Sequence, residues 1–89
     1  METADSEPQV LANRRGVAFV LVHQNSNVEC VVTLPTLEEH FWLEPQASEA
    51  RILKTFRSGY NRIRAIAERK LLAHPTPKLE LIPEDFAHR

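Results

Sequence analysis

One cysteine among 89 residues, Cys30, excludes an internal disulfide and any all-cysteine metal site, and a single thiol suits a reducing compartment. Long hydrophobic runs are also missing. The longest, Val17 to Val22, falls far short of the roughly 20 apolar residues that span a bilayer. Met1 to Pro8 is acidic and polar, with neither a basic start nor an apolar stretch, so no secretory signal peptide is expected and the predicted location is cytoplasmic. Glycine is scarce too, at two residues. With 43% hydrophobic and 26% charged residues, that argues against disorder over most of the length.

Catalytic and ligand motifs are equally scarce. His23, His40, His74 and His88 show no paired spacing such as two histidines one helical turn apart, so surface histidines are expected and no metal or cofactor site. Cys30 with His23 or His40 would be a thiol nucleophile and its base. Cys30, however, shares its strand face with Val28 and Val32, which predicts a buried small hydrophobe. Glu38, Glu39 and Glu44 flank Trp42 and resemble a paired-carboxylate site only superficially. Helix capping by Glu39 and solvation of Glu38 account for them. No set of residues supports catalysis, and the expectation is a protein that is not an enzyme.

The strongest positive signal lies in residues 48–72. Ile52, Leu53, Phe56, Tyr60, Ile63, Ala67 and Leu71 recur at spacings of three and four, which at roughly 100° per residue form one helical stripe. Arg51, Lys54, Arg57, Arg62, Arg64 and Arg69 fall outside it. The pattern predicts one long amphipathic helix from an N-cap at Ser48, some 36 Å at roughly 1.5 Å per residue. Gly59 sits in its middle, where a close approach or a slight bend would explain it. His74 to Pro77 ends it.

Elsewhere the signals are shorter. Residues 1–9 read as a flexible tail and 10–89 as a single domain, with a short extended piece near Val10. Asn13 to Gly16 reads as a turn with Gly16 at positive φ. Val17 to Val22 is a strand, and its unbroken apolar run suggests cover on both faces or neighbours on both sides. Gln24 to Asn27 forms a turn, and Val28 to Leu34 alternates as the return strand of an antiparallel hairpin. Thr36 with Glu39 forms a capping-box pattern, predicting a short helix over Leu37 to Leu43, with Leu37 and Phe41 inward and Pro45 beyond its end. Lys78 to Ile82 is a last strand, followed by one turn whose Phe86 packs back. The predicted architecture is α+β in the order β-β-α-α-β. An antiparallel three-stranded sheet has the Val17 strand in its centre, the other two at its edges, and the long helix across one face.

These residues resemble the small bacterial proteins grouped as domain of unknown function 1488. The likeness runs from Val17 to Phe86. It rests on Val28-Glu-Cys-Val-Val-Thr33 leading into Leu37 and Phe41, then on Phe56, Arg57, Ile63, Ala67 and Leu71, and finally on Leu79 to Phe86. Asn25 and Asn27 stand where that family usually has a turn glycine. The resemblance implies a compact α+β domain and no particular activity.

Charge is unevenly distributed. Residues 1–50 hold eight acids and two bases, whereas residues 51–70 hold seven bases and one acid. Such segregation suits intramolecular pairing, association of two copies, or an acidic partner. Trp42 adjoins the inward Phe41, so both cannot face the core; it is either partly covered or a contact anchor. The expected function is a non-enzymatic binding or adaptor module, with an unidentified protein partner or a second copy of the chain. The alternative is a nucleic-acid-binding or regulatory protein using the basic helix face. The candidate contact residues are Trp42, Arg51, Arg57, Arg62, Arg64 and Arg69.

Overall fold

The computed structural model describes residues 8–13 and 15–87. Its elements are β1 (Gln9–Val10), β2 (Gly16–His23), β3 (Ser26–Thr33), α1 (Leu34–His40), α2 (Glu49–Ser58), α3 (Tyr60–Ala73), β4 (Lys78–Leu81) and α4 (Pro83–Ala87). They form a small α+β fold with a mixed four-stranded sheet in the order β1-β2-β3-β4. Of the expected tail, residues 1–7 lie outside the described residues, while Gln9 already pairs with Ala18.

The hairpin is tighter than its composition suggested. His23 pairs with Ser26, leaving a loop of only Gln24 and Asn25, both at positive φ (51° and 67°). Two consecutive positive φ values are the mark of a type I′ turn, whose twist matches that of the flanking strands. Gly16 is not a positive-φ residue, contrary to expectation. It is required because a Cβ there would collide with the Val32 carbonyl on β3.

Three expectations about the sheet need correction. It has four described strands rather than three, it is mixed rather than antiparallel, and β3 is internal. β4 lies parallel to β3, with Lys78 opposite Glu29 and Leu81 opposite Val32. The physical reason is the connection: residues 34–77 form a long helical crossover, which carries the chain back to the end of the sheet where β3 began. β2 is internal as expected, but its helical cover lies on one face only. Val17, Phe19, Leu21, Val28, Cys30, Val32, Leu79 and Leu81 form the buried face, and α2 and α3 contribute Ile52, Phe56, Ile63, Ala67 and Leu71 against it. Ala18, Val20 and Val31 remain half-exposed on the opposite face, and Val22 is exposed there.

α1 starts three residues earlier than predicted. Thr33 is its N-cap, and Pro35 occupies the first turn, where a missing N–H costs nothing. Thr36 is fully buried, and its hydroxyl has another use. It donates to the Leu81 carbonyl (3.1 Å), so Thr33 must supply the proton of the 2.6 Å contact between the two threonine oxygens. Thr33 Oγ1 in turn accepts from the Thr36 amide. This relay ties the end of β3, the start of α1 and the end of β4 together, with each hydroxyl proton assigned. Lys70 makes a second tie, donating to the Glu80 carbonyl (2.6 Å) and to Asp85 Oδ2 (2.9 Å). The same Asp85 oxygen accepts the Ile82 amide (2.9 Å), fixing α4 so that Phe86 packs on the core as expected.

The single long helix is two helices. Gly59, at φ −101° and ψ 12°, separates α2 from α3. A Cβ at Gly59 would run into the Phe41 ring, so Phe41 packs directly on bare backbone. The interruption is local, since the Gly59 N–H still donates to the Thr55 carbonyl (3.1 Å) and the Ile63 N–H to the Gly59 carbonyl (3.0 Å). The apolar stripe survives because Phe56 and Ile63, seven residues apart, keep the same face across the break.

This arrangement reverses the usual sign of a substitution. In an ordinary exposed helix Gly59→Ala would stabilise by about 1 kcal/mol. Here it is expected to destabilise by about 1–3 kcal/mol through overpacking against Phe41. Adding Phe41→Leu is expected to recover part of the loss. Urea unfolding of the single and double variants measures both effects, and a stabilised Gly59→Ala would refute the packing described.

Candidate partner-binding surface

The C-terminus of α1 determines what the protein displays. Phe41 caps the helix, and its N–H donates to the Leu37 carbonyl (3.0 Å). The Leu43 N–H returns to the same carbonyl (3.1 Å), and Leu43 is buried. Phe41 turns inward, against the Phe86 ring (centroids 5.6 Å apart) and Gly59. Between two inward residues the chain must reverse, and Trp42 makes the reversal at φ 60°. Its side chain is 91% exposed. Partial cover by the neighbouring connection, one of the two expectations for Trp42, does not occur.

Trp42 stands at the rim of a depression of about 330 Å³, lined also by Phe41, Arg51, Lys54, Thr55 and Ser58, with Gly59 at its base. The depression exists because the missing Cβ at Gly59 admits the Phe41 ring and brings α1 close to α2. Arg51 reaches across to Glu44 (3.3 Å), an exposed pair of small energetic weight. Lys54 has no ion-pair partner among the described residues and supplies an uncompensated positive charge beside the indole.

The other predicted contact residues disperse. Arg62 lies over the rings of Phe41 (5.3 Å) and Phe86 (5.8 Å), a cation–π arrangement that supports the corner from the far side. Arg64 pairs with Glu68 one turn on (3.2 Å). Arg69 lies at the other end of α3, where Lys70, Glu84 and Asp85 line the same hollow. Arg57 projects from α2 into a groove beside β2 and has no ion-pair partner among the described residues. Of the six candidates, then, only Trp42 and Arg51 share one depression, and Lys54 joins them. Lys54 was visible in the sequence as part of the basic set, but only the bend at Gly59 gives it its place. Lys70, beside Arg69 in the sequence, is spent internally.

The remaining groups have structural roles. His40 contacts the Pro83 carbonyl through Nε2 (3.0 Å), so Nε2 carries the proton, and its ring stacks on Phe86 (5.8 Å). Among the described residues no three His, Cys, Asp or Glu side chains cluster to hold a metal ion. Cys30 is buried as expected, its Sγ 3.7 Å from the Val28 carbonyl. Burial pushes its thiol up to about 11, against a smaller opposing contribution from a backbone hydrogen bond at Leu21.

A small mixed-sheet α+β fold with an exposed aromatic corner is the class these observations define. The chain belongs to the family described as protein of unknown function (DUF1488), whose model matches residues 4–80. No curated protein and no solved structure matches the chain. No helix among the described residues is long and apolar enough to cross a membrane.

The Cys30 environment gives a direct test. Its thiolate fraction at neutral pH should be roughly a hundredfold below that of an unperturbed thiol, and access is closed as well. Alkylation of the native protein is expected to be at least that much slower than in urea. Equal rates in the two states would reopen a chemical role for Cys30.

Proposed function

We propose that the protein is a non-enzymatic binding module that docks a protein partner through Trp42 and the basic rim formed by Arg51 and Lys54. The observation that carries this reading is a local conflict. The residue just past a helix C-terminus in the left-handed region is most often glycine, sometimes asparagine. A bulky side chain there costs on the order of 1–3 kcal/mol. Trp42 accepts that strain and buries almost nothing within the chain in return. A side chain that is strained and unburied in the free protein gains its contact area from another molecule. Tryptophan and arginine are also the residues that most often dominate binding energy at interfaces. The disposition of the arginines favours protein over nucleic acid, because Arg51 and Arg64 are paired with carboxylates and Arg62 is turned onto the Phe41 and Phe86 rings.

A second reading has one specific observation behind it. An exposed indole beside Lys54 and Arg51 is a stacking platform with phosphate partners, the combination used for single strands. It requires affinity that falls steeply with salt as counterions are released.

Trp42→Gly separates fold from function. The variant is expected to be more stable than the parent by about 1 kcal/mol in urea unfolding, because it relieves the left-handed strain. It is also expected to lose the partner captured by the parent from nuclease-treated lysate. A destabilised Trp42→Gly would mean that the indole packs within its own chain, which contradicts the proposal. Salt-sensitive binding of a labelled single-stranded oligonucleotide, with quenching of Trp42 emission, would favour the second reading.

A further inference from the structure

We propose that the open edge of β2 is a second binding site, which takes an extended acidic peptide from a partner as an added strand. β2 runs eight residues, yet β1 pairs only with Val17 and Ala18. Among the described residues no strand lies beside the outer edge of Phe19–His23, and its outward backbone groups face away from β3. Natural sheets blunt such edges with charge, proline or a bulge. Along β2 itself such devices are sparse: Phe19, Val20, Leu21 and Val22 are all apolar, the pairing with β3 runs unbroken from Gly16 to His23, and among the described residues only Pro8 stands at the start of the edge.

The ground beside the edge fits a side chain. A groove of about 280 Å³ runs between it and the helices, lined by Pro8, Phe19, Val20, Phe56, Arg57 and Tyr60. Its floor is an aromatic cluster, with the Phe19 ring 5.1 Å from Phe56 and 6.2 Å from Tyr60. A strand laid along the edge sends alternate side chains toward this cluster, so an apolar residue belongs there. The polar groups nearby are donors. Among the described residues Arg57 has no ion pair, the Tyr60 hydroxyl has no hydrogen bond, and no acid lines the groove. Lys54 and Arg57 also line the adjoining hollow on α2, extending the positive strip. The occupant defined by this chemistry is an extended segment with an aromatic or branched apolar residue next to a carboxylate. The backbone gives affinity, the cluster selects the apolar residue, and Arg57 selects the charge.

This site is separate from Trp42, and its test is built to show that. The probe is a fluorescein-labelled peptide of alternating valine and glutamate with one central phenylalanine, titrated into the full chain by anisotropy. Binding is expected below about 1 mM, with slowed hydrogen exchange at amides within Phe19–His23. A peptide with alternate amides N-methylated, and one with lysine for glutamate, are each expected to bind at least roughly tenfold more weakly. Arg57→Gln should weaken the acidic peptide several-fold, while Trp42→Gly leaves it unchanged. No binding, indifference to N-methylation, or unaltered exchange at Phe19–His23 would overturn the proposal. So would binding that arises only after Asp5→Asn with Glu7→Gln, because the edge would then belong to the chain's own acidic start.

Discussion

The contact on which the displayed surface depends is the one between the Phe41 ring and the bare backbone of Gly59. It does three things at once. It breaks the helical segment into α2 and α3, it holds the C-terminus of α1 against that break, and it fixes Phe41 inward. With Leu43 also inward, Trp42 has no direction left but outward. Arg62 over the Phe41 and Phe86 rings, and the His40 contact to Pro83, support the same corner from its other side. The exposed indole is therefore a consequence of packing at a distance, and the positive charges of Arg51 and Lys54 are brought beside it by the same break.

The sheet shows a complementary asymmetry. Helices cover one face, and the crossover delivers β4 in parallel as the edge strand beside β3. Thr33, Thr36 and Leu81 lock that strand in place with hydroxyl groups whose protons are all assigned, and Lys70 with Asp85 fixes α4 beyond it. At the other edge β1 is only two residues long. The fold is thus tightly tied where β3, α1, β4 and α4 meet and sparsely protected along the end of β2. Interaction surfaces are expected at the less constrained side of such a structure, since the β4 side is held by side-chain contacts from Lys70, Thr76 and Asp85.

Much of this was legible in the sequence. The helical stripe from Ile52 to Leu71 announced itself because burial at a 3.6-residue period leaves a regular mark, and that mark survives the break at Gly59. The hairpin and the burial of Cys30 followed from alternation. The break itself was hidden, since its cause is Phe41, a residue far earlier in the chain that meets Gly59 only in three dimensions. Strand direction was also missed, although a clue was present: residues 34–77 are far longer than an antiparallel connection needs. The start of α1 was misplaced because Thr36 and Glu39 imitate a capping box, while Pro35 gave the better signal. Trp42 was recognised as a residue in conflict with its neighbours, but which of the three aromatic and aliphatic side chains would lose that conflict depended on the turn geometry.

The most direct measurement is of the Phe41–Gly59 contact in solution. Proton NMR should show nuclear Overhauser effects between the Phe41 ring and the Gly59 Hα protons, with those Hα resonances moved upfield by the ring current. If the effects are absent and the Hα resonances stay at ordinary shifts, the Phe41 ring does not rest on Gly59 and the exposed Trp42 corner does not originate in that contact.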